Sequence, residues 1–265
     1  MTNNYSSNLF SGTEKVGERR DLDTHRIISD RYHFAGSLAR GLNALEIGCG
    51  SGIGLEYLAS AAKSLDALEF SPENMDLLKT MDVGSTSILQ GDAHAMPYES
   101  KRFDLVIGLA MIYYLSLTTF IRETSRVTRD EGILFFCTSN KDVPGFCEAP
   151  FTTKYYSIPE LYAELDKGGF IAEFYGAFPK DNGPLILRVI RGWIKDSTKL
   201  LFGLTGKGRK FWEKLRLKSL GVMIPLPTKL TQQNITASDR VILSPHQRNY
   251  NFRVIYVVAR KKNDS

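Results

Sequence analysis

Four glycines and a carboxylate form the segment of this sequence with the clearest chemical potential. In ALEIGCGSGIGLEYLA, residues 44–59, glycine stands at positions 48, 50, 52 and 54, and Glu46 precedes the first of them. An apolar run lies before the glycines and a helix-like run follows. Glycines at the end of a strand let backbone N–H groups approach a ligand closely. The acidic neighbour favours a ligand with an ammonium group, because a pyrophosphate would be repelled by it.

Two phosphate-binding patterns fail at these glycines. The dinucleotide pattern G-x-G-x-x-G needs a glycine at its sixth position, which is Ile53 when counted from Gly48 and Leu55 when counted from Gly50. The Walker pattern fails as well, since no Gly-Lys-Ser/Thr follows. An NAD(P)-dependent oxidoreductase is therefore kept only as a less favoured alternative.

Two more acidic residues follow predicted strands. In LEFSPEN, residues 68–74, Glu69 ends a strand 23 residues past Glu46, and its carboxylate could accept hydrogen bonds from both hydroxyls of a ribose. In QGDAHAMPYESKRFDLVIG, residues 90–108, Asp92 stands just past another strand. Because the carboxyl ends of parallel strands meet at one edge of a sheet, we expect these side chains and the glycines to share a site.

Short apolar strands alternate with helical patterns through most of the chain, which predicts βαβ units and a mainly parallel sheet. Strands are expected at 44–47, 65–70, 86–90, 104–108, 133–137, 170–175 and 252–259. Helices are expected from 23 up to Gly41 as the C-cap, and at 51–62, 71–81, 117–128 and 157–167. Two helix starts carry strong signals. Ser71-Pro72 places an N-cap before proline, and Ser157-Ile-Pro-Glu160 forms a capping box.

Taken in order, these motifs resemble the class I S-adenosylmethionine-dependent methyltransferases. E-x-G-x-G-x-G is similar to the family's motif I, and the segment from 90 to 108 is similar to its G-D-A…P-F…F-D-x-V stretch. RETSRVTRDEGILFF, residues 122–136, is similar to its R-V-L-K-P-G-G turn, with Asp130-Glu131 in place of Pro-Gly, so we expect a modified turn that keeps Gly132 flexible.

The resemblance implies S-adenosyl-L-methionine as the cofactor. No metal site is expected, because the three cysteines form no C-x-x-C pair. The resemblance places Asp92 at the adenine amino group, the Ala93 N–H at a ring nitrogen and Leu109 beside the cofactor. The full set of expected cofactor-binding residues is Glu46, Gly48, Cys49, Gly50, Gly52, Glu69, Phe70, Asp92, Ala93 and Leu109.

The implied fold is α/β, a doubly wound, Rossmann-like methyltransferase fold with a mostly parallel seven-stranded sheet, an antiparallel last strand and a helical insertion before it. We divide the chain into an N-terminal arm and lid helix (1–41), a cofactor-binding core (42–180), a basic helical insertion or cap (181–250), and the last strand and tail (251–265).

Methyl transfer to a neutral hydroxyl needs a base, since the pKa of a free hydroxyl lies far above 7. The candidates are Tyr113 and Tyr114, which follow the fourth strand, His25 in the lid helix, and Tyr156. None is assigned as the base, and packing roles stay open for all four. His94 is interpreted as non-catalytic.

The positive charge is concentrated in the insertion. The chain carries a net charge of +5, yet residues 183–230 hold eleven basic side chains against two acidic ones. Arg188, Arg191, Lys195 and Lys199 share one face of a predicted helix, which suits either a cap over the acceptor pocket or peripheral contact with an anionic membrane through 184–220. The segment shows no recognised nucleic-acid module, so no nucleic-acid partner is expected.

Two stretches point to an acceptor. ERRDLDTHRIISDRYHFAGSLARGLNALEIGCG and the region from TSNK to EFYGAFP resemble a methyltransferase subgroup associated with glycan and polysaccharide biosynthesis. The expected reaction is O-methylation of a sugar, glycan or other small-molecule acceptor. Quinone or lipid methylation at a membrane surface, and a cofactor-binding regulator without catalysis, remain as alternatives.

No signal-peptide pattern or uncharged run of membrane-spanning length occurs, and the three cysteines form no C-x-x-C pair. The expected location is the cytoplasm, or the inner membrane surface if the basic segment binds there. The oligomeric state is left open.

Overall fold

The computed structural model describes residues 14–180 and 223–263. Its strands are β1 (Arg19–Asp21), β2 (Asn43–Ile47), β3 (Ser64–Glu69), β4 (Ser87–Gln90), β5 (Phe103–Leu109), β6 (Thr128–Ser139), β7 (Phe170–Pro179), β8 (Met223–Pro225), β9 (Val241–Leu243) and β10 (Phe252–Lys261). Its helices are α1 (Leu22–Ala39), α2 (Leu55–Ala61), α3 (Pro72–Leu78), α4 (Leu117–Val127) and α5 (Ile158–Lys167), and a short 3₁₀ turn covers Ile112–Tyr114.

A central sheet organises the molecule, with strand order β4-β3-β2-β5-β6-β10-β7-β9. Strands β4, β3, β2, β5 and β6 pair in parallel, whereas β10 runs antiparallel to both of its neighbours, β6 and β7. The Rossmann-like methyltransferase fold predicted from the sequence is confirmed, including the antiparallel last strand. The carboxyl ends of β2, β3 and β5 therefore lie side by side.

Alternation along the strands creates a core on each face of the sheet. In β2, Ala44 packs with residues of α1 and α2 on one face, whereas Leu45 and Ile47 pack with residues of α4 and α5 on the other. Successive side chains of a strand point to opposite faces, so a strand buried on both sides reads as a continuous apolar run. This burial fixes the register of the strands whose ends carry the site.

The described sheet has eight strands where the sequence predicted seven. The additional strand, β9, pairs antiparallel with β7 through Phe174 and Leu243 at the sheet edge, and it lies in the segment predicted as a helical insertion. The described part of that segment, 223–250, holds two short strands in place of helices, because β8 and β9 each find a partner strand far away in the sequence. The basic residues 188–218 and the predicted membrane contact through 184–220 lie outside the described residues.

Two local predictions need correction. The helix expected from residue 51 begins at Leu55, because Gly52 adopts a left-handed conformation that a helix cannot contain. The modified turn expected around Gly132 lies within β6, and the unusual backbone there belongs to Glu131, which takes a left-handed conformation with φ of 61°. Gly132 is needed for a different reason, since a Cβ there would lie 2.6 Å from a methyl carbon of Thr128.

The helix starts predicted at Ser71 and Ser157 are confirmed. Ser71 caps α3 by accepting a hydrogen bond from the Asn74 N–H, with Pro72 at the first helical position. At α5, Glu160 accepts a hydrogen bond from the Ser157 N–H at 2.7 Å, which completes the capping box. Among the described residues, no helix combines the length and the apolar character that crossing a bilayer requires.

The lid helix α1 is held on the sheet by a buried carboxylate. Asp30 is fully buried and accepts hydrogen bonds from the Tyr256 hydroxyl at 2.6 Å and from the Ser238 N–H at 2.7 Å. Arg240 pairs with the same carboxylate and lies over the ring of Phe34, 4.2 Å from its centroid. These contacts fix α1 against β10 and the segment after β8, so the inward face of α1 has a defined place over the sheet.

Candidate functional site

A cleft lies at the carboxyl ends of β2, β3 and β5, where the sequence predicted a site. Eight of the ten expected cofactor residues line it: Gly48, Cys49, Gly50, Glu69, Phe70, Asp92, Ala93 and Leu109. Glu46 and Gly52 do not line the cleft. The sequence analysis assigned no role to several other lining residues, among them Glu14, Arg31, Tyr32, Asn74 and Met111.

The glycine loop follows β2 and turns sharply over the sheet edge. Gly48, Gly50 and Gly52 have φ values of 68°, 58° and 76°, which L residues with side chains rarely adopt. A Cβ at Gly52 would lie 2.5 Å from a methyl carbon of Leu78, so this glycine allows α3 to pack closely. The loop therefore exposes backbone at Gly48 and Gly50, whereas Gly52 serves the packing behind it.

The fourth glycine makes room for a tyrosine. A Cβ at Gly54 would lie 2.0 Å from Cε1 of Tyr32, although the φ of Gly54, −106°, suits any residue. In this space the Tyr32 hydroxyl reaches Glu46 and donates a hydrogen bond to Oε1 at 2.9 Å. The two residues join the lid helix to the end of β2.

Glu46 is a buried carboxylate with one unpaired oxygen. Its side chain is 1% exposed, and Oε2 has no hydrogen-bond partner among the described residues. Burial raises the pKa of Glu46 to about 7, although the hydrogen bond from Tyr32 and the charge of Arg31 act in the opposite direction. A cationic group beside Oε2 would stabilise the ionised form.

Glu69 links β3 to the glycine loop. Its Oε2 accepts a hydrogen bond from the Gly50 N–H at 2.8 Å, and its Oε1 accepts from the Ser71 N–H at 2.8 Å and the Asn74 amide at 3.1 Å. A carboxylate has about four acceptor sites, so these three donors leave room for one more. Glu69 lines the cleft and is already held in a fixed orientation by the protein.

A buried ion pair lies at the same cleft. Arg31 of α1 forms a two-pronged contact with Glu14 through Nη1 and Nη2, and its Nε has no partner among the described residues. Burial is the largest single influence and would lower the pKa of Arg31, but the charge of Glu14, the hydrogen bond to it and the nearby Cys137 and Tyr32 together shift that pKa upward. Ser51 in the glycine loop donates a hydrogen bond to the Glu14 carbonyl at 2.9 Å, so the segment before β1 crosses the loop.

His94 connects the Asp92 loop to the start of α4. Its Nδ1 lies 2.8 Å from Oδ1 of Asp92, and its Nε2 accepts a hydrogen bond from the Ser116 N–H at 3.0 Å. An Nε2 that accepts leaves Nδ1 as the protonated nitrogen, which donates to Asp92. The lone pair of the neutral imidazole is thus engaged, in agreement with the non-catalytic interpretation of His94.

Aromatic side chains form the wall beyond Leu109. Tyr113 and Tyr114 line the cleft with Met111, and Tyr113 stacks on Tyr155 with 4.6 Å between ring centroids. Phe146 contacts Tyr155 in an edge-to-face arrangement, with 4.7 Å between ring centroids. Burial raises the pKa of Tyr113 well above its ordinary value, so its hydroxyl stays protonated and is a poor base.

The other two catalytic candidates lie elsewhere. Nε2 of His25 is 3.1 Å from the Ile224 carbonyl oxygen, in a groove between α1 and the segment at 224–236. Tyr156 packs on the core that contains α4 and α5, with Nζ of Lys154 4.9 Å from its ring centroid. Neither lines the cleft. Within 14–180 and 223–263, no three His, Cys, Asp or Glu side chains gather as a metal site would require.

Comparisons with known proteins agree with this geometry. Residues 45–136 match the family described as "Methyltransferase domain". A probable S-adenosylmethionine-dependent methyltransferase of Mycobacterium tuberculosis is 27% identical over 134 residues, which cover 49% of this chain and 48% of that protein. The fatty-acid O-methyltransferase of Mycolicibacterium smegmatis is 27% identical over 127 residues, 46% of each chain.

A ubiquinone biosynthesis O-methyltransferase of Azorhizobium caulinodans is 28% identical over 159 residues, 52% of this chain and 63% of that protein. The chain thus spans about half to two thirds of the length of these relatives. Among solved structures, the YcgJ protein from Bacillus subtilis superposes with a TM-score of 0.57 at 13% identity, covering 88% of this chain and 98% of that one. That likeness concerns the fold.

The charges at the cleft and next to it fit S-adenosylmethionine. The guanidinium of Arg31, which lines the cleft, suits a carboxylate, and the unpaired Oε2 of Glu46, which is buried beside the lining residue Ile47, suits an ammonium group. Together they suit the two ends of an α-amino acid. Glu69 has an acceptor site left for a hydroxyl donor. The bare backbone at Gly48 and Gly50 allows a ligand to approach between them.

Proposed function

We propose that this chain, which carries a class I S-adenosylmethionine-dependent methyltransferase domain, methylates an acidic oxygen of an amphiphilic small molecule. The observation that carries the proposal is the cleft itself, in which the glycine loop and Glu69 adjoin the aromatic wall of Met111, Tyr113 and Tyr114. The bound cofactor supplies an electrophilic methyl group. The chain's own residues then have to hold the acceptor oxygen beside it, and such positioning contributes about 7–11 kcal/mol to comparable reactions.

In this proposal the expected cofactor residues contact different parts of the cofactor. The backbone at Gly48, Cys49 and Gly50 receives the amino-acid part, and Glu69 receives a ribose hydroxyl. At the other end of the cleft, Asp92, Ala93, Phe70 and Leu109 enclose the adenine. Glu46 attracts the ammonium group of the cofactor through its unpaired oxygen. Gly52 contributes indirectly, because its missing side chain allows Leu78 to pack behind the loop.

The described cleft offers poor candidates for a general base. The lone pair of His94 is engaged by Ser116, and burial keeps the Tyr113 hydroxyl protonated. A neutral aliphatic hydroxyl would need such a base, whereas a carboxylate is already ionised at neutral pH and an acidic phenol is easily ionised. An acidic oxygen is therefore the acceptor that this cleft serves best.

An apolar body suits the same site. Met111 and the tyrosines present apolar and aromatic surface, and aromatic rings contribute through burial and through their preferred edge and stacked contacts. Two relatives are named for fatty-acid and ubiquinone-biosynthesis O-methylation, which supports an amphiphilic acceptor. The sugar or glycan hydroxyl suggested by subgroup resemblance finds no support among these relatives, so the quinone or lipid alternative takes its place.

The test is methyl transfer from S-adenosylmethionine carrying a labelled methyl group. Four acceptors are compared: a medium-chain fatty acid, the fatty alcohol of the same length, a hydroxylated alkylphenol and a hexose. We expect label in the fatty acid or the phenol, little in the alcohol and none in the hexose. Label in the hexose alone would overturn the acceptor assignment, and label in none of the four would count against catalysis on amphiphiles.

A further inference from the structure

Arg31 is a buried cation whose charge partner does not come from the neighbouring residues of its own helix. Its side chain is 7% exposed, it lines the cleft, and its Nε has no hydrogen-bond partner among the described residues. A buried guanidinium is costly to maintain unless a carboxylate is paired with it. Here that carboxylate belongs to Glu14, which lies 17 residues earlier in the chain.

The two partners differ in their access to solvent. The side chain of Glu14 is 28% exposed against 7% for Arg31, so the carboxylate stands on the solvent side of the pair. Glu14 can therefore exchange this contact for water, whereas Arg31 stays buried between α1 and the cleft. A carboxylate that replaced Glu14 would keep the buried cation paired, so the exchange would avoid the cost of an unpaired buried charge.

The neighbours of the pair define a subsite. The Ser51 hydroxyl donates a hydrogen bond to the backbone carbonyl of Glu14 at 2.9 Å, and Glu14 lines the cleft next to the glycine loop. The buried carboxylate of Glu46 lies close enough to Arg31 for its pKa to respond to the guanidinium charge. The pKa of Tyr113 on the aromatic wall is likewise affected by the charges of Glu14 and Arg31. The pair thus lies where the glycine loop, the end of β2 and the aromatic wall meet.

We propose that Arg31 is the receptor for a ligand carboxylate and that Glu14 is its internal surrogate, which the ligand displaces. The exchange of one carboxylate for another leaves Arg31 paired in both states and moves the exposed member of the pair into water. This deepens the proposed function and rests on it for the identity of the ligand. Two sources of the carboxylate fit: the amino-acid end of the cofactor and an acidic acceptor.

If Glu14 occupies Arg31 part of the time, the apparent affinity for the ligand is the intrinsic affinity multiplied by the fraction of molecules in which Arg31 is open. The substitution Glu14→Gln keeps the size of the side chain and removes its charge, so it should weaken the surrogate. The matched control is Glu18→Gln, which removes the same charge from the same segment but from a residue that pairs with Arg20 and does not line the cleft.

The experiment measures binding by calorimetry with three probes. S-adenosylhomocysteine carries the amino-acid carboxylate, methylthioadenosine shares its nucleoside but lacks the amino acid, and a medium-chain fatty acid represents the acceptor. We expect Glu14→Gln to tighten S-adenosylhomocysteine binding about three- to tenfold, with methylthioadenosine and the Glu18→Gln control changed by less than about twofold. Arg31→Gln should weaken the binding of S-adenosylhomocysteine and leave the binding of methylthioadenosine unchanged.

A second readout covers the stability of the variants. Glu14→Gln leaves Arg31 without its charged partner, so its melting temperature should fall, and S-adenosylhomocysteine should raise it by more than in the unsubstituted protein. If Glu14→Gln tightens the binding of the fatty acid and not that of S-adenosylhomocysteine, the carboxylate comes from the acceptor, and Arg31 is still its receptor. If both ligands bind Glu14→Gln and the unsubstituted protein equally, the surrogate role is refuted. That result leaves the methyl-transfer test of the proposed function unaffected.

Discussion

The Gly50 N–H donates a hydrogen bond to Oε2 of Glu69 at 2.8 Å, which ties the loop after β2 to the end of β3. Residues 19 positions apart are thereby held as one unit, because Glu69 is also fixed by the Ser71 N–H and the Asn74 amide. The glycine loop and the carboxylate beside it are two halves of one preformed surface. A ligand that bonds to Glu69 meets a carboxylate whose orientation is already set.

Glu69→Ala should weaken S-adenosylhomocysteine binding by about 1–3 kcal/mol, because it removes a charge-assisted acceptor and releases the loop at Gly50. Calorimetry measures the affinity, and thermal unfolding should show a lower melting temperature in the same variant. Glu99→Ala removes the same charge at an exposed position and should change neither quantity. An unchanged affinity for Glu69→Ala would remove Glu69 from the cofactor site.

Cofactor affinity should depend on pH through Glu46. The folded protein raises the pKa of this carboxyl from 4.5 to about 7, so its contribution to stability is fully present below about pH 4.5 and is lost as the pH rises through about 7. A ligand with an ammonium group favours the ionised form. The affinity for S-adenosylhomocysteine should therefore rise with pH up to about 7 and then level off, with proton release on binding.

Calorimetry at several pH values, in two buffers of different ionisation enthalpy, measures this release. In Glu46→Gln the affinity should be lower and its pH dependence should flatten. Tyr32→Phe removes the hydrogen bond that lowers the pKa, so the rise should shift to higher pH. A pH-independent affinity in the unsubstituted protein would contradict the assignment of Glu46.

Gly54→Ala should destabilise the protein by about 1–3 kcal/mol, because the new methyl group would overlap the ring of Tyr32 while the backbone fits alanine. Chemical denaturation of Gly54→Ala, Tyr32→Ala and the double variant forms a double-mutant cycle. The double variant should cost less than the sum of the two single changes, since the ring that clashes is gone. Additive costs would show that the two residues do not meet.

Tyr113→Leu should weaken acceptor binding while leaving the cofactor in place. It removes the ring that stacks on Tyr155 and keeps an apolar side chain, so we expect KM for the acceptor to rise about three- to tenfold and S-adenosylhomocysteine affinity to change by less than about twofold. Tyr250→Leu, at a half-exposed tyrosine outside the cleft, is the matched control. Loss of cofactor binding in Tyr113→Leu would place Tyr113 at the cofactor instead.

The sequence by itself determined the parts of the protein that depend on neighbouring residues. Local patterns determine the order of the predicted strands and helices, the caps at Ser71 and Ser157, and the carboxylates near the ends of β2 and β3. Backbone preferences and apolar periodicity act over a few residues, and the parallel arrangement then brings the strand ends together. Eight of the expected cofactor residues meet in one cleft for this reason.

Tertiary structure decided the rest. Arg31 and Tyr32 are neighbours in the lid helix to which the sequence assigned no role, and the docking of α1 through Asp30 brings them to the cleft. The contact of Arg31 with Glu14 and the addition of β9 to the sheet likewise join residues far apart in the chain. Such contacts depend on how buried surfaces and charges find partners across the whole molecule, and no local pattern encodes those partners.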